Sequence, residues 1–169
     1  RVVLSGSGPY PILALSGEQG SAKSSMSRLL QGLVDPSTAG VRAAIRDGED
    51  LYVAARNSHV LCLDNLSTLR DQLADDLCRI STGASFSKRK LFRDDEEAVI
   101  YVCRPLIING IPDLLSRGDL ADRCLGLTLR AIPGSARVAE LDYWAKVEAV
   151  SGEILGGLLT ALSGALARW

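Results

Sequence analysis

Short apolar runs alternate along the chain with longer segments of helical spacing. Pro11 to Ser16 (PILALS), Val60 to Leu63 (VLCL) and Leu106 to Ile108 (LII) read as buried strands, and a last strand is expected around Leu125 to Leu129. From Lys23 to Leu33, the apolar residues Met26, Leu29, Leu30 and Leu33 recur at helical spacing. Glu49 to Asn57 reads as a second helix. Thr68 to Ile80 reads as a third, with Leu69, Leu73, Leu77 and Ile80 on one face. Asp35-Pro36-Ser37 stops the first helix, and Val41 to Ile45 is a candidate short strand. Ser85 to Arg104 has the pattern of two extended segments around a charged turn. A helical segment is expected near Asp113 to Ala121, and Ala139 to Trp169 is mostly helix with its glycines as candidate interruptions. Such alternation predicts a parallel sheet covered on both faces, a three-layer α/β domain.

Composition narrows this only a little. The 169 residues are 47% hydrophobic and 23% charged, in the range of an ordinary globular domain with a substantial core. A formal net charge of -1 exerts no overall pull on nucleic acid or membrane, so any nucleic-acid contact must come from a local basic patch. Cys62, Cys78, Cys103 and Cys124 are scattered and the one histidine is His59, which argues for reduced core thiols rather than zinc or a disulfide framework. With no leader pattern and Arg1 in first place, the chain reads as an excised domain or a fragment of a longer cytosolic protein. The most apolar stretch, Ile154 to Leu166, is shorter than the roughly 20 residues of a membrane span, so a buried helix is expected and no membrane partner.

The first strand runs into Gly17-Glu18-Gln19-Gly20-Ser21-Ala22-Lys23-Ser24, followed by Ser25. In a loop of the GxxxxGK[ST] kind, backbone N–H groups converge on phosphate oxygens, the lysine reaches the terminal phosphates, and the hydroxyl binds magnesium. Lys23 and Ser24 hold those places, between the required strand and helix. Ala22 stands where the pattern has its last glycine. The expected ligands are ATP and Mg2+.

Ligands of a parallel sheet collect at the carboxyl ends of its strands. Val60-Leu61-Cys62-Leu63-Asp64-Asn65 ends in an acid placed to hold magnesium opposite Ser24; the competing reading is a cap for the next helix. Asn65 stands where a glutamate would polarise the attacking water; it orients a water but takes no proton. Leu106-Ile107-Ile108-Asn109 ends in an amide that can bond both the γ-phosphate and the water, although Asn109-Gly110 also suits a tight turn.

These landmarks resemble AAA+ ATPases, and within them the superfamily III helicases and primase-associated ATPases of phages and mobile elements. The stretches are GEQGSAKS, VLCLDN, LCRISTGASFSKRKLFRDD from Leu77 to Asp95, PLIINGI from Pro105 to Ile111, and DRCLGLTL from Asp122 to Leu129. The resemblance implies an AAA+-like P-loop core over residues 1–137 with strand order 5-1-4-3-2 and a β-hairpin insertion at 85–104. Residues 138–169 would form a C-terminal helical segment, packed on the core or beginning a lid. The family's basic hairpin grips single-stranded DNA in the pore of a homo-oligomeric ring. Lys88, Arg89, Lys90 and Arg93 would make the phosphate contacts, with Phe86 or Phe92 stacking on bases. A merely solvated charged hairpin is the alternative, and Asp94, Asp95, Glu96 and Glu97 favour it.

The resemblance also implies an arginine finger acting on a neighbouring subunit. Arg123 matches its position, with Arg117 in reserve; the plainer reading of Arg123 is a surface pair with Asp119 or Asp122. The expected function is therefore a cytoplasmic, oligomeric ATPase domain of a helicase-like DNA replication protein. Its catalytic set is Lys23, Asp64, Asn65, Asn109 and Arg123. Asn65 favours the alternative, a nucleotide-binding switch or scaffold that hydrolyses slowly or not at all. A small-molecule kinase is disfavoured, because no lid with paired arginines is evident.

Overall fold

Alternate residues along three central strands point into two separate cores, and this is what builds the layers. The computed structural model describes residues 8–37, 40–43, 45, 48–66, 68–89, 97–110 and 115–168, the side chains of 88, 89, 97 and 98 excepted. The elements of the first part are β1 (Ile12–Gly17), α1 (Lys23–Val34), β2 (Arg42–Ala43), α2 (Gly48–Arg56), β3 (Leu61–Leu66) and α3 (Asp71–Thr82). They are followed by β4 (Ala84–Arg89), β5 (Glu97–Val102), β6 (Leu106–Gly110), α4 (Gly118–Ala121) and β7 (Cys124–Leu129). Five of these strands form one parallel sheet in the order β2-β3-β6-β1-β7, while β4 and β5 pair only with each other as an antiparallel hairpin.

Ile12 and Ala14 of β1, Leu61 and Leu63 of β3, and Leu106 and Ile108 of β6 face α2 and α3, packing with Leu51, Ala55, Leu77 and Ile80. The intervening Leu13, Leu15, Cys62 and Ile107 face the other way, against Met26, Leu30 and Val34 of α1. Period-two alternation thus feeds both cores, as a doubly covered sheet requires. The cover stops short of the edge. On β7, Leu125 and Leu127 stand in register with Leu13 and Leu15 yet are 60% and 45% exposed, so the expectation of two fully covered faces fails there. α1 spans β1, β6 and β3, and a single helix about 10 Å wide does not also reach the outermost strand.

The helical faces also differ in detail from the sequence reading. α3 buries Leu77 and Ile80 with Leu69 and Leu73 beside them, as the spacing predicts. α1 instead turns Met26, Leu30 and Val34 inward, and its two fully buried residues are polar, Ser27 and Gln31. Gln31 Nε2 donates to the Gly40 carbonyl at 3.1 Å, and Ser27 has its partner across the sheet. Asp35 ends α1 and its carboxylate accepts from the backbone N–H groups of His59 and Val60 at 2.8 and 2.9 Å, tying that turn to the entry of β3.

The chain divides into two units, residues 1–131 and 132–169. The second consists of a short 3-10 turn at Gly134–Ala136 and α5 (Glu140–Leu166), a helix that runs unbroken through Gly152, Gly156, Gly157 and Gly164. No residue of α5 is buried, so the expected burial of this segment is not found. Its 27 residues give it about 40 Å. By length and composition alone the whole helix is long and apolar enough to cross a membrane; the shorter stretch from Ile154 had missed the apolar residues before it.

Candidate functional site

The loop after β1 is shaped by three residues with positive φ. Gly17 sits at φ 149°, where an added Cβ would lie 2.5 Å from the Leu129 carbonyl oxygen, and Gly20 sits at 80°. Ala22 takes φ 58° and ψ 30°, the left-handed conformation that glycine adopts at no steric cost. The missing glycine therefore matters first as backbone strain, and not only as a methyl group near a ligand. The Ser21 hydroxyl donates to the Glu18 carbonyl at 2.8 Å and closes the turn.

α1 begins directly at Lys23, with no side-chain cap and no acidic residue in its first turn. The first N–H groups of a helix have no intrahelical partner, so this end presents donors and a partial positive charge with no carboxylate of its own to answer them. Lys23 Nζ donates to the Gly17 and Glu18 carbonyls at 2.7 and 2.9 Å, which holds the ammonium over the loop. The Ser24 hydroxyl donates to Asp64 Oδ1 at 2.9 Å. These two groups, from α1 and β3, are the pair expected to hold magnesium. Asp64 does not cap the following helix, whose N-cap is Arg70.

β3 loses register with β6 between Leu63 and Leu66, and at this irregularity Asn65 takes φ 58°. Asparagine tolerates left-handed backbone far better than glutamate, which gives a local reason for its presence. The Asn65 side chain is exposed, and its backbone N–H donates to Asn109 Oδ1 at 2.9 Å. Asn109 and Gly110 are the last residues of a wholly buried strand, so the tight-turn reading of Asn-Gly does not hold. Asn109 Nδ2 donates to the buried Ser27 hydroxyl at 2.7 Å.

Residues 19–25, Asp64, Asn65 and Asn109 line one open cleft of about 320 Å3 at the carboxyl ends of β1, β3 and β6. That size is at the lower bound of small-molecule sites. Among the described residues no group of three or more His, Cys, Asp or Glu gathers to hold a metal. A Ser24–Asp64 pair suits magnesium, which keeps several waters and takes few protein ligands. Ser27 was missed in the sequence, although a serine between Met26 and Leu30 on the inward face of α1 is a signal that a buried partner awaits it.

The expected arginines lie elsewhere. Ile12 pairs with Cys124 and Gly17 with Leu129, so Arg123 enters β7 at the end of the sheet opposite the loop, about 16 Å of strand away. Arg123 is exposed and donates to the Asp119 backbone carbonyl at 2.6 Å. Arg117 is held by Asp75 at 2.6 Å, Asp119 at 2.7 Å and Asp71 at 3.3 Å, linking α3 to α4. These three carboxylates hold Arg117 at the junction of α3 and α4. Its hydrogen bond holds the Asp119 carboxyl below the usual range, against the opposing effect of desolvation.

In the hairpin, Lys88 and Arg89 lie on β4, with their side chains outside the described residues. Lys90, Phe92, Arg93 and residues 94–96 lie outside them altogether. Phe86 stacks on Tyr52 at 4.7 Å and packs against the core, so it is not the expected base-stacking ring. Among the described residues of this hairpin, Tyr101, registered opposite Ser85, is an exposed aromatic at 67%. The four cysteines are free thiols, and burial pushes Cys62 up to about 12 and Cys124 up to about 11.

No curated protein matches the chain. Residues 2–166 match the profile of a family described as actinomycete integrative conjugative element replication protein. A match across nearly the whole length, on an α/β fold with a parallel central sheet, shows that this chain belongs to that family of mobile-element replication proteins.

Proposed function

We propose that the chain is the ATP-binding, ATP-hydrolysing part of a helicase-like replication protein that acts on single-stranded DNA as an oligomer. The observation that carries this reading is the gathering of Lys23, Ser24, Asp64 and Asn109 around one cleft from three different elements. Counting only the strands of the main sheet in chain order, its sequence is 5-1-4-3-2, which supports an AAA+-like P-loop core.

In this reading the loop N–H groups and the start of α1 receive the phosphates. Lys23 exchanges its two loop carbonyls for phosphate oxygens. Ser24 and Asp64 hold magnesium, which neutralises charge on the phosphates when bound. Asn109 offers its amide to the terminal phosphate, and Asn65 orients a water. Arg123, at the far end of the sheet from its own cleft, serves the site of a neighbouring copy. Lys88, Arg89, Lys90 and Arg93 supply the basic contacts to DNA.

A second reading, a slow or inactive nucleotide switch, is favoured by Asn65 alone, since no second acid follows Asp64. Phosphate release measured with and without single-stranded DNA separates the two. DNA-stimulated release that disappears in Lys23→Ala, and loses its stimulation in the triple variant Lys88→Ala/Arg89→Ala/Lys90→Ala, is the expected result. Tight ATP binding with no release would favour the switch, and no binding of ATP with magnesium would sink both.

A further inference from the structure

We propose that Ser27 is a positioning residue for the nucleotide site: it fixes the Asn109 amide and so sets how well the cleft tells a nucleoside triphosphate from a diphosphate. This rests on the nucleotide reading of the cleft. The Asn65 backbone sets the amide's orientation. The Asn65 backbone N–H is a donor only, so the atom that meets it at 2.9 Å must be Oδ1 of Asn109. Nδ2 is then turned to α1, where the Ser27 hydroxyl oxygen accepts from it at 2.7 Å.

Both residues are buried, Ser27 at 0% and Asn109 at 1% exposure, so neither bond is exchanged freely with water. The hydroxyl thus joins α1 to β6 directly behind the cleft. One Nδ2 proton is used on Ser27, and an amide nitrogen carries two. The second remains for an acceptor, and Asn109 is part of the cleft wall. A terminal phosphate oxygen is such an acceptor.

Without the Ser27 hydroxyl, Nδ2 would lose its buried acceptor, and a buried unpaired donor is costly enough to make the amide rotate or shift. The rotation moves the phosphate-facing proton but leaves the loop N–H groups, Lys23 and Ser24 untouched. Ser27 is also one helical turn beyond Lys23 and Ser24, so the helix that carries the phosphate ligands carries the orienting group as well.

The test is titration of the purified chain with magnesium and either ADP or a non-hydrolysable ATP analogue, for the wild type, Ser27→Ala and Ser27→Thr. In Ser27→Ala the triphosphate should bind about tenfold more weakly while ADP stays within about twofold of wild type. Ser27→Thr, which keeps the hydroxyl, should restore the preference. Equal weakening of both ligands, or no change in either, would overturn the positioning role. A wild-type chain that binds neither nucleotide would overturn the nucleotide reading itself, and this inference with it. If Ser27→Ala does not fold, Ser27→Cys carries the same comparison, because a thiol of similar size is a weak acceptor.

Discussion

Replacing Ala22 by glycine should stabilise the chain, which reverses the usual effect of that substitution. Ala22 is held at φ 58° and ψ 30° by the turn before α1. Left-handed backbone costs an L-residue roughly 1–2 kcal/mol, chiefly because Cβ crowds the following carbonyl. Glycine escapes that cost but loses roughly 0.5–1 kcal/mol more conformational freedom on folding. The difference favours Ala22→Gly by about 0.5–1 kcal/mol. Residues 1–131 form the unit that holds the loop, so its unfolding entropy of about 2.1 cal/mol/K per residue turns this into a rise of roughly 2–4 °C in Tm. Thermal and urea unfolding, followed by far-UV circular dichroism, measure it. Ala54→Gly in the interior of α2 is the control, and should lose about 1 kcal/mol or more. Ala22→Val should also destabilise, since a β-branched residue suits left-handed backbone least. An Ala22→Gly variant that melts below the parent would refute the reasoning, because the strain would then not be where the backbone puts it.

Asp35→Ala removes the acceptor of two backbone N–H groups, His59 and Val60, and should lower stability by about 1–3 kcal/mol in urea unfolding, whereas Asp35→Asn should recover part of the loss. Because Arg117 lowers the Asp119 pKa in the folded state, the pair's stabilisation is complete above the unfolded value of about 3.9 and is lost as pH falls through it toward the folded value. Arg117→Leu should therefore be less stable than wild type at pH 7, and the gap should narrow as pH falls below the unfolded carboxylate value; a gap that stays constant through that fall would count against the clamp. Cys62, buried with its thiol pushed up to about 12, has on the order of one thiolate in 10⁴ at pH 8 and should resist iodoacetamide in the native protein, with mass spectrometry showing modification only after denaturation.

Much of the α/β architecture was legible along the chain because strand and helix periods differ. Val60 to Leu63 and Leu106 to Ile108 are continuous apolar runs because β3 and β6 are covered on both faces. The spacing of Leu73, Leu77 and Ile80 pointed correctly to the buried face of α3, while Leu69 packs on the same core from just before the helix begins. Where the reading failed, a polar or exposed partner decided the outcome. Apolar spacing alone selected Leu29 and Leu33 on α1, but the helix turned Ser27 and Gln31 to the inside because Asn109 and the Gly40 carbonyl awaited them. Phe86 looked like a ring on a DNA-binding hairpin, and Tyr52 claimed it. Nothing along the chain announced that α3 and α4 would bring three carboxylates around Arg117.

The order of residues alone was enough for β1, the glycine turn after it and α1, since those signals lie within a dozen neighbours and arise from local backbone preference. It also carried the acidic and amide strand ends, Asp64 and Asn109, as candidates. That Ser24 meets Asp64, and that Asn109 bonds both the Asn65 backbone and Ser27, are contacts across 40, 44 and 82 positions. Hydrogen bonds of that separation depend on strand order and register, which no local pattern encodes. The left-handed turn at Ala22 and the irregularity at Asn65 belong to the same class. They are backbone choices that an alanine and an asparagine only tolerate, and the loop closure and the β3–β6 pairing made them necessary.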